Sequence, residues 1–136
     1  MADPTSVLIT GASSGIGSAL AKLYAGRGAH VVLAARREDA LRELADAIEA
    51  GGGQASVRVL DVSNPEITEA TVRELDDEHG FDLVVANAGV GRERHGSKLS
   101  WDDCRQVVMV NVCGAVATLT GAIPGMVARG RGHLVG

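Results

Sequence analysis

Five short apolar runs, Val7 to Thr10, Val31 to Ala35, Ala55 to Leu60, Leu83 to Ala86 and His133 to Val135, are separated by stretches whose apolar residues recur at helical spacing. No other feature constrains the fold as strongly. Short strands without polar alternation are buried on both faces, and strands joined through helices pair in parallel, because right-handed crossovers lay helices on both sides of the sheet. The expected class is α/β, a doubly wound parallel sheet of about five strands with helices on both faces. At 136 residues the chain fits a single domain, residues 1–136, able to bury about two-thirds of its unfolded surface. With one Trp, one Tyr and one Phe, its core falls to Val, Leu, Ile and Ala.

Helical stripes fill the intervals. Ile16, Leu20, Leu23 and Tyr24 mark the first helix, and Leu41, Leu44, Ala45 and Ile48 the second, with Gly26 and Gly28, then Gly51 to Gly53, as their stops. A third helix is expected from Ser63-Asn64-Pro65-Glu66, with Ser63 and Glu66 as a capping box, to about His79-Gly80. A fourth, capped by Ser100, runs apolar almost all round from Cys104 to Leu119 and is therefore expected to be buried all round. One of its faces would lie on the sheet, and the other, with Met109, Val116 and Thr120, against another subunit.

Several partner classes drop out. A net charge of -4 without a basic stripe, and so few aromatics for base stacking, argue against nucleic acid. No uninterrupted apolar run approaches the ~20 residues of a membrane span, and the N-terminus MADPTS lacks a signal sequence, so no membrane association and a cytoplasmic location are expected. Cys104 and Cys113 stand far from any histidine cluster, which implies neither a disulfide framework nor a metal site.

Open sheets of this Rossmann type bind ligands at the carboxyl ends of their strands, beside the point where strand order reverses. The unusual residues fall at such ends: Thr10-Gly11 to Gly17, Arg36-Arg37, Asp61-Val62 and Asn87-Ala88-Gly89. Gly11, Gly15 and Gly17 read G-x-x-x-G-x-G, which is neither the G-x-G-x-x-G fingerprint nor a phosphate loop. The same stretch spells G-x-S-x-G, which would make Ser13 a hydrolase nucleophile. A hydrolase, however, needs strands before the serine and a histidine with an acid partner. Ser13 follows the first strand, and none of His30, His79, His95 and His133 has an evident acid partner at a strand end. A dinucleotide explains more residues. Gly11 allows the tight turn, Gly15 lets backbone approach a pyrophosphate, and Gly17 lets the helix pack closely with its N-terminus toward the phosphates. Ser13 and Ser14 would offer hydroxyls to phosphate oxygens or cap the helix.

Four motifs in order, Thr10-Gly11-Ala12-Ser13-Ser14-Gly15-Ile16-Gly17, Asn87-Ala88-Gly89, Val110-Asn111-Val112 and Gly132-His133-Leu134-Val135, resemble the short-chain dehydrogenase/reductase family along the whole chain. Ala86 departs from the pattern, since the family often has a second Asn there. The resemblance implies hydride transfer between a nicotinamide cofactor and a carbonyl or secondary alcohol. It implies that Gly11, Ser14, Ile16 and Gly17 line the pyrophosphate, that Asp61 and Val62 contact adenine, and that Asn87, with Ala88 and Gly89, holds the ribose region. Homodimers or homotetramers through the helix at 101–120 are also implied. On the residues alone, Asp61 could equally cap the next helix and Asn87 sit in a turn.

Arg36 and Arg37 end the second strand where a carboxylate would select NAD. An arginine fork suits a 2'-phosphate instead, so NADP(H) is expected in preference to NAD(H), with Glu38 and Asp39 complicating the field. The alternative, a solvated helix start, sets cations against the helix dipole. Asn111 falls on the stripe of Cys104, Val107, Val108 and Ala115, where an unsatisfied amide costs on the order of 1 to 3 kcal/mol. In the family the matching asparagine bonds backbone and positions a water in a proton relay to the catalytic lysine.

That relay ends on a Tyr-x-x-x-Lys pair, and none occurs here: Tyr24 is the lone tyrosine, and Lys22 and Lys98 are the lysines. By the resemblance the catalytic serine, tyrosine and lysine would follow Val135. The 136 residues are therefore expected to be the cofactor-binding part of a longer enzyme and to be inactive alone. A non-catalytic NADP(H)-binding module is the alternative. The charged loop from Val90 to Lys98 is expected to be solvated and within reach of substrate.

Overall fold

The computed structural model describes residues 2–91 and 93–136; Arg92, in the loop just named, lies outside the described residues. The elements are β1 (Ser6–Thr10), α1 (Gly15–Gly26), β2 (His30–Ala35), α2 (Glu38–Ala50), β3 (Gln54–Val59), α3 (Pro65–His79), β4 (Leu83–Val85), α4 (Trp101–Val108), α5 (Ala115–Arg129) and β5 (His133–Val135). A π-turn, Met109–Gly114, joins α4 to α5 without a break in the helix. The sheet runs β3-β2-β1-β4-β5 with every neighbouring pair parallel. The chain steps outward from β1 to β3, then crosses back to lay β4 on the other side of β1. Strand order therefore reverses between β1 and β4, where the loops after the two strands diverge.

Strand side chains alternate between two apolar layers. Val7, Ile9, Val31, Leu33 and Val85 pack with Ala21 and Ala25 of α1 and Leu41, Leu44 and Ile48 of α2. Leu8, Val32, Ala34 and Val84 face Val72 and Leu75 of α3, Phe81, and Ala122 and Met126 of α5. The α/β class with a five-stranded, doubly wound parallel sheet is thus as expected.

Four expectations need correction. In α1 the buried residues are Gly17, Ala21 and Ala25, while Ile16 is 73% and Leu23 46% exposed. The helix lies so close to the sheet that small residues must face inward, and Leu20 and Tyr24 pack at the margin. The cap of α3 is Asn64, not Ser63: Asn64 Oδ1 accepts from the Ile67 amide at 3.1 Å. Pro65 forces its predecessor into extended backbone, which places the cap one residue later.

The long helix is also more open than its composition suggested. Met109 and Thr120 are half-buried, but Val108, Val112, Val116, Ile123 and Val127 are exposed along one side, because α3 and β4 cover only the inner face. Finally, Trp101–Arg129 is long and apolar enough to cross a membrane by length and composition, with a mean hydropathy of 1.8 in its most apolar window. Counting uninterrupted apolar residues overlooked that Gly, Thr and Pro barely interrupt such a stretch. In this fold the inner face of the helix packs on α3.

One polar fastening crosses the second layer. Asp76, 2% exposed, accepts from Arg129 Nη1 at 3.0 Å and Nη2 at 2.7 Å and from the Phe81 amide at 2.9 Å. Arg129 Nη2 also donates to the Phe81 carbonyl, so α3, α5 and the approach to β4 are locked together.

Candidate functional site

A cleft of about 350 Å3 opens at the carboxyl ends of the strands, where β1 and β4 part. Gly11, Ser13, Ser14, Ile16, Arg36, Arg37, Asp61, Val62, Asn87, Ala88 and Gly89 line it. Eleven expected site residues, from four separate loops, thus meet in one place. Gly15 and Gly17 do not line the cleft; they shape the turn beneath it.

The turn is built by close approach. Gly11 has φ +65, and a Cβ on it would lie 2.7 Å from Ala88 Cα. A Cβ on Gly17 would lie 2.6 Å from Asn87 Nδ2 and against the Gly11 carbonyl. Gly15, at φ +57, has nothing within 4 Å of its would-be Cβ and faces open space. Asn87 Nδ2 donates to the carbonyls of Thr10 and Gly11 at 3.2 and 3.3 Å, and the Ala88 amide donates to Thr10 Oγ1 at 3.2 Å. The Asn87-Ala88-Gly89 segment is therefore bolted to the glycine turn rather than being a free turn.

Ser14 occupies the cap position of α1, yet its side chain makes no capping hydrogen bond. The first amides of α1 thus remain available for an anion, with the helix dipole in favour. Ser13 does not cap either: its hydroxyl accepts from Arg37 Nη2 at 3.4 Å. Arg37 is the single side chain that hydrogen-bonds Ser13 among the described residues. His30 and His133 begin strands, at the end of the sheet opposite Ser13.

Arg36 and Arg37 are exposed and stand on the cleft wall, Arg37 at the cap position of α2 without a side-chain capping bond. Glu38 does not oppose them directly, because it turns along α2 to accept from Arg42 Nε at 3.0 Å. Asp61 does not cap α3. Its Oδ1 accepts from the Ser63 amide at 3.0 Å. That amide, then the Ser63 hydroxyl and the Arg36 guanidinium, hold the carboxyl below the usual carboxylate range against an opposing effect of burial. The backbone of Val62 is pressed by the long helix: a Cβ on Gly114 would meet the Val62 carbonyl at 2.5 Å.

Asn111 is not buried in apolar packing. It is exposed, it lies in the π-turn, and it does not line the cleft. Its amide pairs with one backbone unit: Nδ2 donates to the Val90 carbonyl at 2.9 Å and Oδ1 accepts from the Val90 amide at 2.8 Å. The stripe on which it falls is itself open: Cys104 and Val108, which precede the π-turn, are exposed, and α4 buries no residue. Val90 in turn lines the cleft, together with Ala35, Leu60 and Val110, four residues that were not among the expected lining. Ala35 and Leu60 stand at or just beyond strand ends, the one signal that could have flagged them. Among the residues of the charged loop described, Arg94 pairs with Asp103 at 3.5 Å.

Comparison with known proteins points one way. An uncharacterized oxidoreductase of Myxococcus xanthus is 47% identical over 130 residues, which cover 95% of this chain and 51% of that protein. A metagenomic short-chain oxidoreductase, solved in complex with NADP, superposes with a TM-score of 0.89 at 33% identity, over 96% of this chain and 60% of the other. The L-sorbose reductase of Gluconobacter frateurii, solved with NADPH and L-sorbose, gives a TM-score of 0.87 at 36% identity, over 96% and 50%. The chain thus spans about half the length of the relatives it matches. The sequence pattern of the short chain dehydrogenases matches residues 5–136, and the chain belongs to that oxidoreductase family.

Proposed function

We propose that these residues are the cofactor-binding part of an NADP(H)-dependent short-chain dehydrogenase/reductase that interconverts a carbonyl and a secondary alcohol. The observation that carries the reading is the cleft at the β1/β4 switch point, where an uncapped helix start, a glycine turn and two arginines converge. Those residues fit a dinucleotide phosphate. The first turn of α1, with Ser14 and Ile16, suits the pyrophosphate. Arg36 and Arg37, the latter donating to Ser13, suit the 2'-phosphate through charge-assisted hydrogen bonds. Asp61 and Val62 suit the adenine, and Asn87 with Ala88 and Gly89 the ribose region.

The bound nicotinamide would supply or accept the hydride. The proton comes from elsewhere: Tyr24 lies in α1, and no Tyr-x-x-x-Lys occurs in the sequence. On this reading the 136 residues do not turn over alone. Asn111 acts as a positioning residue, holding Val90 at the cleft. The exposed Val108, Val112 and Val116, one helical turn apart, form the face through which the enzyme pairs with a second copy in the cytoplasm.

The test is cofactor titration of the full-length protein with NADPH and NADH, for the parent and for Arg36→Ser/Arg37→Ser. Each exposed arginine is worth about 1 kcal/mol to a phosphate, so NADPH should weaken about 10- to 30-fold while NADH changes little. Equal weakening of both cofactors would overturn the assignment to the 2'-phosphate. Carbonyl reduction by the 136-residue chain alone would overturn the division of labour.

A further inference from the structure

At the end of the sheet away from the cleft, two histidines from distant parts of the sequence face each other. His30 opens β2 and His79 closes α3, and their ring centroids are 5.0 Å apart. His30 Nε2 shares a 2.8 Å hydrogen bond with the Ser56 hydroxyl of β3. On its other side the His79 ring stacks on Phe81 at 5.8 Å, and Phe81 is fully buried. The pair thus spans β2, β3 and the junction of α3 with β4. Nothing in the proposed hydride transfer uses it.

We propose that the His30–His79 pair is an acid-sensitive latch, which fastens the last turn of α3 to the start of β2 when neutral and loosens it when the pair takes up a proton. The charges around it decide the sign. From α3, His30 is faced by His79 and Glu78; from β3 it meets the Ser56 hydroxyl, and from the start of β1 the Thr5 carbonyl, which accepts its backbone amide at 2.9 Å. Among the described residues Glu78 is the countercharge to the pair, with its side chain 68% exposed and its Oε1 3.7 Å from His79 Nε2. With the ring centroids 5.0 Å apart, a charge on His79 works against a second one on His30. Burial first, then His79, hold the His30 ring below the ordinary histidine value of 6.5, with Glu78 opposing.

A histidine titrating lower in the folded state than in the unfolded one leaves stability intact above the unfolded value. Stability is lost as pH falls from there toward the folded value, because the unfolded chain then binds more protons. For one excluded proton the folding constant drops by up to about tenfold per pH unit in that window. The change is driven from the end of β2 opposite Arg36 and Arg37, and it needs no ligand.

Two measurements on the full-length protein test the latch. The ring resonances of both histidines are followed by NMR between about pH 5 and 8, in the parent and in His79→Gln. His30 should titrate below 6.5 in the parent and move up toward it in the variant. Urea unfolding of the parent and of His30→Gln, which keeps a partner for Ser56, is followed over the same range. The parent should lose stability below pH 6.5 more steeply than the variant. A His30 ring that titrates at or above 6.5, or that ignores His79→Gln, overturns the proposal, as do equal slopes in the two unfolding series. The NMR titration stands by itself if His30→Gln fails to fold.

Discussion

Replacing Gly17 by alanine adds one methyl group at the most crowded point of the glycine turn. The new Cβ would lie 2.6 Å from Asn87 Nδ2 and press on the Gly11 carbonyl. Neither neighbour can yield cheaply. Gly11 is itself held against Ala88, 2.7 Å from its own would-be Cβ, and Asn87 is fixed by hydrogen bonds to Thr10 and Gly11. Overpacking of this kind costs about 1 to 3 kcal/mol. If Asn87 gives way, two hydrogen bonds worth about 0.5 to 1.5 kcal/mol each go with it. The expected loss is therefore about 2 to 6 kcal/mol, divided between folding and cofactor affinity, because the displaced α1 and Asn87 both border the cleft. Gly15→Ala is the control. Its φ of +57 strains an alanine, at about 1 to 2 kcal/mol, but its Cβ meets nothing within 4 Å. Urea unfolding and NADPH titration of both variants separate the effects. Gly17→Ala should weaken NADPH binding at least tenfold more than Gly15→Ala does, since 1.4 kcal/mol is a factor of ten. Parent-like stability and affinity in Gly17→Ala would refute the close-approach argument.

Other perturbations reach different parts of the molecule. Asp76→Ala leaves the Arg129 guanidinium partly buried without its carboxylate and the Phe81 amide without an acceptor, and should destabilise by about 3 to 5 kcal/mol in urea unfolding. Asn111→Ala removes both hydrogen bonds to Val90, and should raise the dissociation constant of NADPH and the mobility of the Val90 amide in hydrogen exchange while leaving overall stability within about 1 kcal/mol. Burial alone would push the Asp82 carboxyl up, but hydrogen bonds from the Thr5 hydroxyl at 2.6 Å and amide at 3.0 Å, with Arg131 nearby, hold it below its usual 3.8. Its contribution is present above that value and lost as pH falls through the lower folded one, so Thr5→Val should move acid unfolding to higher pH.

What could be read from the chain and what could not divide along physical lines. Strands β1, β2, β3 and β4 begin or end within one residue of the apolar runs; β1, β2 and β4 are buried on both faces as their runs implied, whereas β3, at the edge of the sheet, has no buried residue. The loops at their carboxyl ends carried the cleft, since glycine, arginine and asparagine are conspicuous in an apolar context. The rotation of α1 was not legible. Its inward face is made of Gly17, Ala21 and Ala25, whose small size is what close packing selects and what a hydrophobic stripe ignores. The π-turn at Met109–Gly114 was equally hidden, and so was the exposure of the stripe that carries Cys104, Val108 and Asn111. Asp76 and Arg129, 53 residues apart, carry no local signal that they would meet.

The two motifs that meet at the cleft floor, residues 10–17 and 87–89, are not independent features that happen to converge. Gly17 is small because the Gly11 carbonyl and Asn87 occupy the space, Gly11 because Ala88 does, and Asn87 is polar because two carbonyls of the turn need a donor. Thr10 closes the circle by accepting from the Ala88 amide. Each motif is therefore the packing partner of another before it touches any ligand. A substitution in one should be rescued, where rescue is possible, by a change in its partner: Asn87→Gly, which vacates the space against Gly17, should recover part of the stability lost in Gly17→Ala without restoring cofactor affinity. Coupling of that kind in a double-mutant cycle would show that the turn is folded by its own contacts and only then offered to the phosphates.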